Sequence, residues 1–129
     1  MATFKRFEEI EAWQLARELC KLVYKLSCQG EFAKDFALKN QMRDAAGSSM
    51  DNIAEGYERD GTKEFINFLS VSKGSAGEVR SQSYRAFDAG YISKEEFNEL
   101  FKLANRVGKA NHGLMEYLKN CDLKGIKWK

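Results

Sequence analysis

Proline is absent from all 129 residues, and with it the residue that breaks or kinks a helix interior, so long uninterrupted helices are permitted along the whole chain. The ten glycines are scattered, and no stretch reads as a linker or a low-complexity segment. No run approaches the roughly 20 apolar residues of a membrane span. The amino-terminal MATFKRFEEIEAW carries Glu8, Glu9 and Glu11 where a secretory signal needs an apolar stretch, and a cytoplasmic protein is expected. Cysteine is sparse and odd in number: Cys20, Cys28 and Cys121 have no CxxC spacing. Neither a disulfide framework nor a zinc site is indicated, and the three read as small hydrophobes or idle thiols.

Histidine occurs once, at His112, three residues after Lys109 and next to Asn111. A carboxylate-bridged di-iron bundle needs Glu-x-x-His pairs on two helices, which one histidine cannot supply. Serine or cysteine catalysis needs a nucleophile paired with a base, and no nucleophile elbow is present. The pattern GxxxxGK[ST] is missing, and GSAGE at 74–78 lies inside a helical segment, so nucleotide binding has no support. Glu55 and Glu78 are better read as salt-bridging groups than as an acid/base pair. The expectation is a chain with no catalytic residue, no cofactor and no metal.

What is present is helical periodicity in a chain with 43% hydrophobic residues, enough for a single-domain core. From about 8 to 28, Ile10, Trp13, Ala16, Leu19, Val23 and Leu26 recur at steps of three and four. From about 34 to 58, Leu38, Met42, Ala46, Ser49, Ile53 and Tyr57 do the same. The third segment, about 62–89, places Phe65, Phe68, Leu69, Ser72, Ala76, Val79, Ser83 and Phe87 on one stripe, with Thr62 as candidate N-cap and Gly90 just past the end. Ser93 and Glu96 form a capping-box pattern ahead of a fourth segment, about 93–120, whose face is Phe97, Leu100, Phe101, Ala104, Val107, Asn111, Met115 and Leu118. Short connections between comparable helices predict an all-α, antiparallel up-and-down four-helix bundle spanning residues 1–129, with a basic tail at 121–129.

Two helices carry a second seam. On helix two, Gln41, Ala45, Ser48, Asn52, Glu55 and Arg59 follow heptad steps roughly 80–100° from the apolar face, and Glu55 and Arg59 stand at i,i+4 with the acid first, the favourable order for an ion pair. On helix three, Ser70, Gly74, Gly77 and Ser81 repeat on the side opposite the core stripe. Each mid-helix glycine costs about 1 kcal/mol relative to alanine. Two readings stand: the seams meet another subunit, or they are solvated surface with glycines tolerated or needed by a neighbouring helix of the same chain.

QMRDAAGSSMDNIAEGYERDGTKEFINFLSVSKGSAGEVRSQSYRAFDAGYI, residues 41–92, resembles the bacterial four-helix-bundle family first named for proteins encoded in intervening sequences of 23S rRNA. Gln41, Arg43, Ala45, Ala46, Ser49, the Asn52–Gly56 run NIAEG, Arg59, the KEFI of Lys63–Ile66, Phe68, Leu69, Gly74, Ser75, Glu78 and Gly90–Ile92 fit its pattern. Phe7, Ile10 and Trp13 suit its amino-terminal element. Asp44, Met50 and Ala89 depart from it, and Asp44 removes one basic residue. The resemblance implies a ring-like homo-oligomer, typically a pentamer, with no enzymatic activity. It extends to the accessory variability protein of diversity-generating retroelements, which acts by binding a reverse transcriptase and nucleic acid.

Charge is unevenly spread: residues 1–101 hold 14 Lys+Arg against 17 Asp+Glu, net −3, whereas residues 102–129 hold 7 against 2, net +5. Lys102, Arg106 and Lys109 form a basic stripe on helix four, and Lys124, Lys127 and Lys129 flank Trp128 in the tail. Repeated around a ring, these residues make a candidate RNA- or DNA-binding surface. The alternatives are a scaffold for a partner protein such as a reverse transcriptase, or an oligomer of unassigned cellular role. The interface and polar-network candidates are Gln41, Ser48, Asn52, Glu55, Arg59, Ser70, Gly74 and Gly77.

Overall fold

Residues 4–123 are described by a computed structural model. Four helices carry the chain back and forth: α1 Glu11–Ser27, α2 Phe36–Glu58, α3 Thr62–Asp88 and α4 Lys94–Leu123. No strand occurs among the described residues. α1 packs on α2, α2 on α3, α3 on α4, and α4 returns to α1, the neighbour pattern of an up-and-down bundle.

The apolar stripes meet at the centre. Ile10, Trp13, Ala16, Leu19, Val23 and Leu26 are buried, as are Leu38, Met42, Ala46, Ile53 and Tyr57 of α2 and Phe65, Leu69, Ala76 and Val79 of α3. On α4, Phe97, Leu100, Ala104, Val107 and Leu118 close the core. Phe68, Phe87, Phe101 and Met115, on the edges of their stripes, are half-buried. Three polar positions on those stripes are fully enclosed and tie three helices together. The Ser72 hydroxyl donates to the Ser49 carbonyl at 2.5 Å and accepts from Asn111 Nδ2 at 2.9 Å, while Asn111 Oδ1 has no partner among the described residues.

The helix starts are later than the periodicity implies, for local reasons. Phe7–Glu9 form a 3-10 turn, and extended Ile10 (φ −77°, ψ 123°) separates it from α1, which begins at Glu11 rather than near residue 8. A second 3-10 turn at Gly30–Lys34 delays α2 to Phe36. That turn buries Phe32, which stacks on Tyr91 with centroids 5.4 Å apart. Asp35 is the N-cap: its Oδ1 accepts the Leu38 N–H at 3.1 Å, and its Oδ2 accepts the Tyr91 hydroxyl at 2.8 Å. The Leu38 amide, and after it Tyr91, hold this carboxyl below its ordinary pKa of 3.8.

Thr62 is not the N-cap of α3. That position belongs to Gly61, whose φ of 122° suits glycine, and Thr62 is the first helical residue. At the other end, Gly90 (φ 79°) donates to Phe87 O at 3.0 Å and Tyr91 N–H to Ala86 O at 2.9 Å, the paired bonds of a Schellman motif. The capping box before α4 is reciprocal: Ser93 N–H donates to Glu96 Oε1 at 2.8 Å and Glu96 N–H to Ser93 Oγ at 3.1 Å.

Candidate functional site

The polar seam of α2 turns its side chains toward α3 of the same chain. Ser48 Oγ lies 2.8 Å from Ser75 Oγ, and Asn52 Nδ2 donates to the Ser48 carbonyl and hydroxyl at 2.8 and 2.9 Å. Exposed Gln41 accepts from Arg85 Nη1 at 3.1 Å. Arg59 pairs with Glu55 at 2.7 Å, approaches Glu64 at 3.7 Å and lies 5.0 Å above the Phe68 ring. The Glu55 hydrogen bond raises the pKa of this already permanent cation. Glu55 and Arg59 are each about half exposed, so their pairing is a solvated contact at the α2/α3 seam. A shallow groove of about 320 Å³ beside it is lined by Gln41, Asp44, Ala45, Ser48, Ser75 and Glu78, and both of its charges are negative.

The α3 seam points outward. Ser70 and Gly74 are exposed and Gly77 half-exposed, and together they form one wall of a groove of about 650 Å³ between α3 and α4. Ala104, Asn105 and Gly108 form the facing wall. A Cβ added at Gly74, Gly77 or Gly108 meets no atom within 4 Å. These glycines are therefore not required by helix packing within the chain, although three of them cost about 3 kcal/mol of helix propensity relative to alanine.

The same groove gathers Lys73 and Arg80 from α3 with Lys109 and His112 from α4, and no acidic side chain lines it. None of the four makes an ion pair among the described residues. The Arg80 guanidinium lies 5.0 Å above the Phe101 ring, and its Nε is buried with no hydrogen-bond partner among the described residues. α3 thus separates an acidic groove on its α2 side from a basic one on its α4 side.

Sequence periodicity does not bring Lys73 and Arg80 to Lys109; the antiparallel pairing of α3 with α4 does, in the register fixed by the Ser72–Asn111 bond. The signal available in the sequence is the i,i+7 spacing of Lys73 and Arg80 around Gly74 and Gly77. Of the α4 stripe, Lys109 alone lines the groove, while Lys102 and Arg106 are exposed outside it. Lys124, Lys127, Trp128 and Lys129 lie outside the described residues. No group of His, Cys, Asp and Glu among the described residues is arranged to hold a metal. No described helix is long and apolar enough to cross a membrane.

A crystal structure of a protein with unknown function from the S23 ribosomal protein family of Bacteroides thetaiotaomicron superposes on this chain with a TM-score of 0.74. At 18% identity over 81% of this chain and 95% of that one, the likeness is one of fold. No curated protein matches the chain. The family model described as 23S rRNA-intervening sequence protein matches residues 8–113.

Proposed function

Because the chain belongs to the 23S rRNA-intervening sequence protein family, and the larger of its two described like-charged grooves is basic, we propose that it is a non-enzymatic, self-associating helical bundle that binds RNA. The observation that carries this reading is the set of cations on α4 and the facing wall of α3. Lys102, Arg106 and Lys109 are exposed and make no ion pair among the described residues, and Lys73 and Arg80 share the groove with Lys109 from the α3 side. Cations left without acidic partners are free to neutralise phosphates and so release the counterions condensed on a polyanion, the dominant sequence-independent source of affinity for phosphate backbones. A net charge of only +2 gives one subunit a weak footprint. A ring of subunits, in the proposal a pentamer, multiplies it without new contacts.

Size-exclusion chromatography with light scattering, with and without mixed RNA at low and moderate salt, tests both halves. The expected result is a pentamer that takes up RNA at low salt and releases it as salt rises. Changing Lys102, Arg106 and Lys109 together to Glu is expected to abolish uptake while leaving the mass unchanged. A species that ignores RNA at low salt refutes the RNA half and directs attention to a protein partner such as a reverse transcriptase. A monomer at all concentrations refutes self-association.

A further inference from the structure

We propose that the α3/α4 groove is the seat of one RNA strand, with the sugar-phosphate backbone laid along a glycine floor and held by Lys73, Arg80 and Lys109. This deepens the RNA-binding reading and rests on it: it names the site and limits the ligand to a single strand.

Three independent features of the groove converge. The floor residues Gly74, Gly77 and Gly108 leave space that no part of the chain fills, so a ligand backbone can approach the helices more closely than over any other residue. The charges are of one sign, with Lys73 and Arg80 on one wall and Lys109 on the other. Arg80 is held in place by the Phe101 ring, 5.0 Å away.

The dimensions favour a strand. Lys73 and Arg80 are seven residues apart, a rise of about 10 Å along α3, which corresponds to roughly three nucleotide steps at the axial spacing of one strand. The groove is a cleft of about 650 Å³ along two helices in contact; one strand can lie along it, whereas a duplex, whose major groove alone admits an α-helix, reaches only the rim. Uncharged or weakly basic hydrogen-bonding side chains on the walls are limited to Ser70, Asn105 and His112, so binding is expected to depend little on base sequence.

The test uses the full chain and a fluorescent oligouridylate of about 12 nucleotides, read by anisotropy across a salt series, with mass and melting temperature recorded for each variant. Gly77→Leu and Gly108→Leu fill the floor without changing charge, and each is expected to weaken binding at least tenfold. Lys73→Gln with Arg80→Gln removes two phosphate contacts and should lower the log–log salt slope by about 1.4. The charge-matched pair Lys21→Gln with Lys25→Gln on α1 is expected to bind like the parent.

A same-length duplex is expected to bind more weakly than the strand. Inorganic phosphate should compete only at millimolar levels; competition at the concentration of the strand itself identifies a small phosphorylated ligand and overturns the proposal. Folded floor variants that bind like the parent, with loss confined to Lys102→Gln and Arg106→Gln, overturn the groove but leave the RNA-binding reading standing. A parent chain that does not bind RNA removes that reading itself. A fall in mass on Gly77→Leu assigns the groove to a subunit contact and refutes the strand seat.

Discussion

Two glycine-to-alanine substitutions, chemically identical and both in helix interiors, are expected to change stability in opposite directions. Gly56 is buried near the end of α2, where an added Cβ stands 2.5 Å from Phe68 Cβ, 3.1 Å from Phe65 Cδ1 and 3.3 Å from Phe68 Cγ. Phe68 Cβ is fixed to the α3 backbone and cannot rotate away, so α2 and α3 must separate by about 1 Å to restore an ordinary contact. Overpacking of this kind costs roughly 1–3 kcal/mol, and the gain in helix propensity, up to about 1 kcal/mol, offsets part of it. Gly56→Ala should destabilise by about 1–2 kcal/mol. At Gly77 a Cβ meets nothing within 4 Å, and Gly77→Ala should stabilise by about 1 kcal/mol. For a domain of this length each kcal/mol moves the melting temperature by roughly 3–6 °C. Differential scanning calorimetry at one fixed protein concentration therefore separates the two variants clearly. If Gly77→Ala destabilises as much as Gly56→Ala, then something covers Gly77 in solution and the open floor is refuted. If Gly56→Ala is neutral, the close approach of α2 to α3 is refuted.

Asn111→Ala removes the bond to Ser72 and opens a small cavity, with an expected loss of about 2–3 kcal/mol in urea unfolding. Asn111→Leu combined with Ser72→Ala removes both polar partners and should cost less, within about 1 kcal/mol of the parent. Asp35 has a folded pKa below its ordinary 3.8, so its ionised form favours the folded state. That contribution is fully present above about pH 4 and is lost as pH falls through the folded value. Asp35→Asn retains a capping side chain but should flatten the acid limb of the melting temperature against pH; an unchanged limb refutes the assignment. Burial, with Asp51 adding to it, pushes the Cys20 thiol up to about 11 from 9.0, about a hundredfold fewer thiolates near neutral pH. Cys121 is buried and Cys28 exposed, so a thiol reagent should label Cys28 first in the native protein and all three in urea; rapid labelling of Cys20 contradicts its placement.

The helices and their inward faces are legible in the order of the residues alone. With no proline to interrupt it, a repeat of three and four residues leaves one conformation that buries a continuous apolar stripe, and Ile10 through Leu26 or Leu100 through Leu118 could only point inward. Ser93, Glu96 and Gly90 were equally legible, because caps are local chemistry within four or five residues. The 3-10 turns were not, since Phe32 leaves helical geometry to stack on Tyr91, a partner 59 positions away in the chain. The α2 seam shows the same limit: its heptad spacing is local, but Ser48 meeting Ser75 and Gln41 meeting Arg85 follow from the packing of α2 on α3. That Gly74, Gly77 and Gly108 share an open floor, and that Lys73 and Arg80 join Lys109 and His112 around it, follows from the packing of α3 on α4. A groove belongs to two helices at once, and its contents depend on the register between them, which in this chain is fixed by the buried Ser72–Asn111 bond and by the apolar residues packed around it.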